Sequence, residues 1–431
     1  MTLENRLYLA VFPFCYNSIM KNEIIIQANV ELGAWQGLGG AITEATAYNF
    51  AKLSPTKKRQ LLKAYYDSNG LDYRWGRLSI GSNDFCLRPY EYTKKVDLSD
   101  FSIEHDEKWV IPMVKEVLKK KDVCFLASPW SPPECMKLGL KSINYSFLKP
   151  WCFGDFAKYI QMWLDTYREK GIVFSYITVQ NEPRARQIWE SCIYSFKAQR
   201  RLVYKYLESE LKDYDTQILL WDHNKAKLSR VADKLFDGSY VTKYGCDEKI
   251  AGICFHWYDG VFPGEMWKVK QKYPDILMLS SEMSCGFSPY DEVDWQKDAK
   301  LYLRELFADI NAGASAFIDW NMLLNFHGGP SYCKNYLKSP IILNRKGDDF
   351  ILTPIYQALK KFTKLFPAGS RAVRLEYNSS DIVAVGRMIS GYYEVVVANV
   401  SSQKQRVTIK LGDKAKACTV NENEIISIKM L

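Results

Sequence analysis

Eight short apolar runs, separated by longer amphipathic stretches, occupy the chain between about residues 35 and 365. Short apolar runs fit buried strands, and amphipathic stretches between them are typical of strand and helix units around a parallel sheet. The runs cover residues 37–43, 73–80, 123–128, 176–180, 218–222, 252–257, 276–281 and 316–320. Eight parallel strands close a barrel. The sequence therefore predicts an α/β fold whose main part is a (β/α)8 TIM barrel.

The pattern changes after residue 366 to short alternating strands separated by tight turns. The strand candidates there cover residues 382–386, 392–400, 405–411 and 425–428, and residues 23–30 near the other end also have strand character. We therefore expect a small antiparallel β-sandwich side domain built from both chain ends. The predicted division is residues 31–366 for the barrel and residues 1–30 plus 367–431 for the side domain.

The formal net charge is +9, and the lysine-rich runs fall on or beside stretches that are predicted to be outer helices. Acidic residues are interspersed with them, which is typical of solvated helix faces rather than of a phosphate-binding surface. No nucleic-acid partner is expected. Aromatic residues make up 14% of the chain. Most of these rings should lie in the core, but amphipathic rings also suit carbohydrate binding.

The cysteines and the N-terminal stretch bear on location. There are 11 cysteines, an odd number, and no C-x-x-C motif, which favours reduced thiols in a reducing compartment. The apolar stretch 7–16 follows Glu4 and is interrupted by Pro13, which argues against a signal peptide. No run reaches the roughly 18 apolar residues that a membrane span needs. We expect a cytoplasmic protein without a membrane span.

Two glutamates follow predicted strands, Glu182 after the fourth and Glu282 after the seventh. Strand exits of a barrel converge on one open face, so both carboxylates should point into the same cleft. Retaining glycosidases hold such a pair about 5 to 5.5 Å apart. At that distance two negative charges repel by about 3 kcal/mol, or roughly two pKa units. We expect this repulsion to keep one glutamate protonated near neutral pH while the other stays ionised.

Either glutamate alone is more commonly a helix cap or a surface charge, and a single ring or histidine is more commonly a packed core group. Other strand exits, however, add polar and aromatic residues to the same face. These are Asp84, Trp130, Asn181, residues 256–258 and residues 319–321. Asn181 directly precedes Glu182, where an amide can bind a sugar hydroxyl beside the reacting carbon. This combination favours glycoside hydrolysis.

Metal and nucleotide chemistry find less support. The four histidines lack the spacing of a metal site such as H-E-x-x-H. The glycine-rich segment 37–40 lacks the spacing of nucleotide-binding loops. We expect neither a metal nor an organic cofactor.

Taken in order along the chain, the motifs resemble glycoside hydrolase family 30, in particular its glucosylceramidase branch. The resemblance is carried by residues 37–44, 83–85, 127–130, 181–183, 256–258, 281–282, 319–321, 328–330 and 339–342. Each motif alone is only moderately specific, whereas this order and spacing are highly specific. The resemblance implies a (β/α)8 barrel with a β-sandwich side domain formed from both chain ends.

The resemblance also implies roles for ten residues. Glu182 would be the acid/base and Glu282 the nucleophile of a reaction that retains configuration. The implied substrate contacts are Asp84, Trp130, Asn181, Tyr258, Trp320 and Asn335, with Asn181 at the sugar 2-hydroxyl. Arg77 and His256, together with Tyr258, would support the nucleophile.

The expected function is a retaining, exo-acting β-glucosidase that acts on a β-linked glycoside or oligosaccharide. An endo-β-1,6-glucanase, a β-fucosidase or a β-xylosidase of the same family is the alternative. A catalytically silent carbohydrate-binding barrel is the alternative from another class. The oligomeric state and the leaving group are not specified by the sequence.

Overall fold

The computed structural model describes residues 21–139, 146–236, 238–239, 249–288 and 292–431. The apolar stretch 7–16 lies outside the described residues. The first nine strands are β1 Glu23–Ala34, β2 Gly37–Ala41, β3 Trp75–Ile80, β4 Cys124–Pro129, β5 Tyr176–Thr178, β6 Gln217–Asn224, β7 Ile250–His256, β8 Leu277–Glu282 and β9 Ala316–Asp319. Strands β2 to β9 form a closed barrel in chain order, and each neighbouring pair is parallel. The predicted barrel is confirmed.

The interior of the barrel is filled by side chains. Its buried cluster consists of Trp75, Leu126, Leu219, Cys254, Leu279, Ala316 and Ile318, which come from six of the eight strands. Glycine is required where a neighbour approaches closely: a Cβ on Gly252 would lie 2.0 Å from the backbone oxygen of Leu277 on β8. The barrel is therefore a packed core, and a ligand can reach it only at its ends.

The helices pack outside the barrel. They are α1 Glu44–Lys52, α2 Pro55–Tyr66, α3 Glu104–Lys108, α4 Val110–Lys120, α5 Phe153–Glu169, α6 Phe196–Leu202, α7 Glu208–Glu210, α8 Leu228–Leu235, α9 Pro263–Lys272, α10 Trp295–Asn311 and α11 Pro354–Leu365. A π-helical segment, Val203–Leu207, joins α6 to α7, and a 3₁₀ turn covers Glu134–Met136. Ser54 caps α2 by accepting from the Lys57 amide, and Pro55 is its first residue.

The remaining strands are β10 Leu323–Leu324, β11 Ile341–Leu343, β12 Phe350–Leu352, β13 Arg371–Tyr377, β14 Ile382–Ile389, β15 Tyr392–Asn399, β16 Gln405–Leu411, β17 Lys414–Val420 and β18 Ile425–Met430. Strands β10 to β12 form a small separate sheet. The side domain is one seven-stranded sheet in the order β17-β16-β1-β13-β14-β15-β18, antiparallel except between β1 and β16. Residues from all seven strands contribute to one apolar cluster, so the sheet curls around its own core.

Strand β1 connects the two parts of the protein. It runs to Ala34, which pairs with Arg371, so the sheet includes four residues beyond the boundary predicted at residue 30. The side domain also binds α10, because Asn311 exchanges hydrogen bonds of 2.7 and 2.9 Å with the backbone of Leu375. A buried cation fixes α10 to the barrel face: Lys225, just after β6, pairs with Glu305 at 2.6 Å and Asp309 at 2.5 Å.

Candidate active site

The two glutamates lie at the carboxyl ends of barrel strands. Glu282 is the last residue of β8, and Glu182 follows β5 by four residues. Their side chains are 8% and 12% exposed, so each can meet a ligand while the protein holds it. Glu182 has a left-handed backbone with φ of 45°, an uncommon conformation for a non-glycine residue. Its amide donates to the Asp222 carbonyl oxygen at 2.8 Å, which fixes that conformation.

Arg77 on β3 occupies the centre of the site and is fully buried. Its guanidinium donates to Glu282 Oε2 at 2.5 Å, to Asn181 Oδ1 at 2.9 Å and to Asp222 Oδ2 at 2.9 Å. Burial alone would lower the pKa of Arg77, but the charges of Asp222 and Glu282 raise it above its usual range. The permanent cation therefore orients the glutamate and the asparagine that the sequence predicts for this cleft.

Asp222, at the end of β6, is the anionic counterpart of Arg77. Its Oδ2 also accepts from Ser128 and Thr178, and its Oδ1 accepts from Ser281 at 2.7 Å. Burial raises the pKa of Asp222, but Arg77 and His256 outweigh that effect and hold the pKa well below its usual range. Asp222 therefore stays ionised and ties β6 to side chains of five other barrel strands.

His256, the last residue of β7, contacts both glutamates. Its Nε2 lies 3.0 Å from Asp222 Oδ1, and its Nδ1 lies 3.3 Å from Glu182 Oε1 and 3.8 Å from Glu282 Oε1. Burial lowers the pKa of His256, whereas the charge of Glu282 and the hydrogen bonds to Asp222 and Glu182 raise it to about 9. The imidazole is therefore charged at neutral pH and donates from both nitrogens.

The charge of His256 changes the expected protonation of the pair. Burial raises the pKa of Glu182, but hydrogen bonds and charges from His223 and His256 move it well below its ordinary value. The expectation that repulsion keeps one glutamate protonated is therefore wrong for Glu182 in the free protein. His256 contacts both carboxylates and Arg77 contacts Glu282, and these cations compensate the mutual repulsion of the pair.

One wall of the cleft carries the predicted rings. Trp130 and Trp320 are both buried and stack with centroids 4.9 Å apart and an interplanar angle of 14°. The Arg77 guanidinium carbon lies 4.9 Å from the Trp130 ring centroid and 5.5 Å from that of Trp320. Such contacts between a cation and a ring fix both partners. The wall is therefore rigid and apolar.

Asp84 and Asn335 lie beside this wall. The Asn335 amide donates to Asp84 Oδ2 at 2.8 Å. Burial, with the charge of Glu282 next in size, raises the pKa of Asp84 to about 8. This carboxyl group is therefore largely protonated at neutral pH and can both donate and accept hydrogen bonds.

Tyr258 lies at the rim of the cleft, and 42% of its surface is exposed. Its hydroxyl reaches inward and donates to Glu282 Oε1 at 2.9 Å. Burial of the hydroxyl and the charges of Glu282 and Glu182 raise the pKa of Tyr258 well above its usual value. Glu282 is therefore held by a phenol on one oxygen and by a guanidinium on the other.

These contacts bring all ten predicted site residues together at one end of the barrel. Asp319 behaves differently from its neighbour Trp320: it is buried and accepts from Tyr302 at 2.5 Å, away from the glutamates. The sequence patterns did not single out Asp222 or His223. Because Asp222 ends the fifth predicted strand and His223 directly follows it, the rule that barrel sites form at strand exits could have found them.

Carboxylates, aromatic rings and amides that converge on the carboxyl ends of barrel strands define a class of enzyme, the barrel glycoside hydrolases. Residues 35–366 match the model of the glycosyl hydrolase family 30 TIM-barrel domain. The chain is 30% identical to lysosomal acid glucosylceramidase of Mus musculus over 404 residues, which cover 88% of this chain and 77% of the relative. The protein therefore belongs to glycosyl hydrolase family 30.

Solved structures extend the comparison. The crystal structure of SrfJ from Salmonella typhimurium superposes with a TM-score of 0.87 at 28% identity, over 95% of this chain and 93% of that one. An endo-β1,6-glucanase superposes with a TM-score of 0.80 at 22% identity, over 96% and 95% of the two chains. At 22% identity, the likeness to the endo-β1,6-glucanase shows a shared fold only. No helix among the described residues is long and apolar enough to cross a membrane.

Proposed function

We propose that this protein is a retaining, exo-acting β-glucosidase in which Glu282 is the nucleophile and Glu182 the acid/base. The observation that carries the proposal is the arrangement around His256 Nδ1, which lies within 3.8 Å of both carboxylates. The two glutamates differ in their partners. Glu282 is fixed by Arg77 and Tyr258 on its two oxygens, whereas Glu182 lies beside His223 and the charged His256 and accepts from Gln187 at 3.2 Å.

In the first step a Glu282 oxygen attacks the anomeric carbon. Arg77 and Tyr258 orient the carboxylate for this attack. The bond from that carbon to the leaving oxygen breaks, its electron pair goes to the oxygen, and Glu182 supplies the proton. The product is a glycosyl ester on Glu282 and a free leaving group.

The low pKa of Glu182 in the free protein requires a source for that proton. His256 is charged, and its Nδ1 lies 3.3 Å from Glu182 Oε1. A bound glycoside displaces water from the carboxylate, which favours its neutral form. We infer that the proton held by His256 passes to Glu182 when a substrate is bound.

In the second step water attacks the anomeric carbon, and Glu182 accepts the proton of the water. The ester bond breaks, and its electron pair returns to Glu282. The esterified Glu282 carries no charge, and the charge of Glu282 is the largest contribution that raises the pKa of His256. His256, which gave its proton to Glu182 in the first step, is therefore stable as a neutral imidazole in the intermediate. It takes the proton of the water back from Glu182 once Glu282 regains its charge.

The wall formed by Trp130, Trp320, Asp84 and Asn335 is the proposed site of the cleaved sugar. The apolar face of a pyranose can lie on an indole ring, while its hydroxyls bond to the carboxyl and amide groups. Asn181, held by Arg77, is the proposed partner of the 2-hydroxyl. Glucose has the equatorial hydroxyls that such a flat wall favours.

A mechanism-based trap tests the assignment. The protein is incubated with an activated 2-deoxy-2-fluoro-β-glucoside, and its peptides are analysed by mass spectrometry. An adduct on Glu282 is expected, and an adduct on any other residue refutes the nucleophile. NMR during cleavage of an aryl β-glucoside should show the β-anomer first. Glu282→Gln should lose activity at least ~1,000-fold, because it removes the nucleophile, whereas Glu116→Gln on the exposed face of α4 should not change it.

The alternative, an endo-acting glucanase, would carry out the same reaction in a longer cleft. Digestion of a β-1,6-glucan separates the two, because an exo enzyme releases glucose from the start and an endo enzyme first releases oligosaccharides. A protein that binds aryl β-glucosides without cleaving them would be a carbohydrate-binding barrel instead. The cytoplasmic location stays a prediction.

A further inference from the structure

A cavity of about 650 Å³ opens beside Glu182. Its lining comes from the segment after β5, from α6, from the end of β6 and from α8. His223 joins the cavity to the proposed proton donor, because it lines the cavity and its Nδ1 lies 3.6 Å from Glu182 Oε1. The acid/base of a glycosidase protonates the leaving oxygen, so the leaving group must lie on this side of the cleft. We call this cavity the leaving-group pocket.

Aromatic rings form one side of the pocket. The centroids of Phe196 and Trp221 are 5.9 Å apart, and those of Trp221 and His223 are 5.3 Å apart. Trp221 reaches the pocket because the chain bulges at the end of β6, where Trp221 and Asp222 have φ of 79° and 61°. The three rings form an apolar surface that leads away from Glu182 and suits a flat, apolar group.

The charges of the pocket are strongly one-sided. Four cations line it, namely Arg184, Lys227, Arg230 and Lys234. One carboxylate, Asp259, also lines it, but its two oxygens accept from the backbone amides of Lys225 and Ala226. Within the part of the chain that the structure describes, none of the four cations forms an ion pair. Surface lysines elsewhere do, for example Lys119 with Glu116.

Around the aromatic surface, four cations that have no carboxylate partner among the described residues are arranged for a ligand that supplies the anion. Like charges in one pocket repel one another, and a bound negative charge relieves this repulsion. We propose that the preferred substrate is a β-glycoside whose leaving group joins a flat, apolar body to a negatively charged end. This inference rests on the proposed function, because it takes Glu182 as the proton donor.

Two aryl glucosides of nearly equal shape test whether the pocket prefers a negatively charged leaving group. They are 4-carboxyphenyl β-glucoside, which is anionic at neutral pH, and 4-carbamoylphenyl β-glucoside, which is neutral. The readout is the ratio of kcat/KM for the anionic to that for the neutral substrate. Intrinsic leaving-group reactivity cancels when this ratio is compared between protein variants. The pocket variant is Lys227→Gln with Arg230→Gln, and the matched control is Lys115→Gln with Arg59→Gln on α4 and α2.

The ratio should fall about tenfold in the pocket variant, since each exposed ion pair contributes up to ~1 kcal/mol. It should be unchanged in the control variant, and in the wild type it should fall as salt shortens the Debye length from ~30 Å at 0.01 M to ~3 Å at 1 M. Equal ratios in all three proteins, or a ratio insensitive to salt, would overturn the proposal. Thermal melting verifies that both variants fold.

A binding measurement separates this inference from the proposed catalytic function. Calorimetry on Glu282→Gln, with and without the two pocket substitutions, gives the Kd of both glucosides. Tighter binding of the anionic glucoside that is lost with the pocket substitutions supports the pocket even if no hydrolysis is found. Cleavage of both glucosides without any charge preference refutes the pocket and leaves the glucosidase intact.

Discussion

Replacing Asp222 by Asn removes one negative charge from the centre of the barrel and keeps the size of the side chain. Asp222 accepts hydrogen bonds from Arg77, Ser128, Thr178, Ser281 and His256. An amide at this position cannot accept on its nitrogen side, so at least one buried donor loses its partner. Breaking a buried pair in this way costs about 3 to 5 kcal/mol. Because Arg77 keeps its ion pair with Glu282, we expect a loss of stability at the low end of that range.

The loss of stability should depend on pH in a defined way. His256 has a pKa of about 9 in the folded protein against an ordinary value of 6.5, a difference of about 3 kcal/mol. Its contribution is fully present below pH 6.5 and is lost as the pH rises through 9. Part of this shift comes from Asp222. The stability gap between the wild type and Asp222→Asn should therefore narrow from pH 6.5 to pH 9.

At acid pH, the carboxyl group of Asp222 itself determines the stability gap between the wild type and Asp222→Asn. Its folded pKa lies below the ordinary value, so its contribution is present above about pH 4 and is lost at lower pH. The gap should be widest between about pH 4 and pH 6.5. Urea denaturation followed by circular dichroism at several pH values measures it. A gap below 1 kcal/mol at pH 6, or one that is constant to pH 9, would refute the reasoning; exposed Asp213→Asn should cost under about 0.5 kcal/mol.

Two further substitutions test other contacts. Tyr258→Phe should lower kcat/KM about ten- to a hundredfold without changing stability, because Glu282 loses one charge-assisted hydrogen bond. Steady-state kinetics on an aryl glucoside measure this, and a loss under about threefold would contradict it. Lys225→Met should destabilise the protein by about 3 to 5 kcal/mol, because Glu305 and Asp309 would be buried without their cation; an unchanged urea midpoint would show that these carboxyls are neutral in the folded protein.

The barrel was predictable because each of its strands is a local signal. Each strand is indicated by an apolar run of about four to eight residues followed by an amphipathic stretch, a pattern visible in the sequence alone. Closure of the barrel follows from the count of eight strands. The predicted site residues were accessible for the same reason. Glu182, Glu282 and His256 all lie where an apolar run ends, and strand exits of a barrel share one face.

The roles of Asp222 and Trp221 could not be predicted from local pattern. Their left-handed backbone arises where β6 slips in register against β7, which is a property of two strands together. The slip shifts the alternation along β6 by one residue, so that Leu220 and Trp221 both lie outside the barrel interior while Asp222 points into it. Alternation along β6 alone does not indicate that a carboxylate at this position becomes the centre of a hydrogen-bond network.

The expected protonation of Glu182 is wrong because repulsion between the two glutamates is only one of the charge interactions that act on its carboxylate. In the folded chain, β6 contributes His223 and β7 contributes His256 beside Glu182, and both lower its pKa. Each of these residues lies far from Glu182 in the sequence. The pKa of a buried group depends on the sum of all nearby charges, and that sum exists only after folding.

Positions on either side of the bulge at the end of β6 differ in how freely they can be substituted. Asp222 is bonded to side chains of β3, β4, β5, β7 and β8, so a change there disturbs the whole barrel. The neighbouring pocket is lined from exposed positions at α8 by Lys227, Arg230 and Lys234, which form none of these hydrogen bonds with Asp222. New leaving-group preferences can therefore be selected, or engineered, by exchanging side chains on α8 while the catalytic centre stays constant.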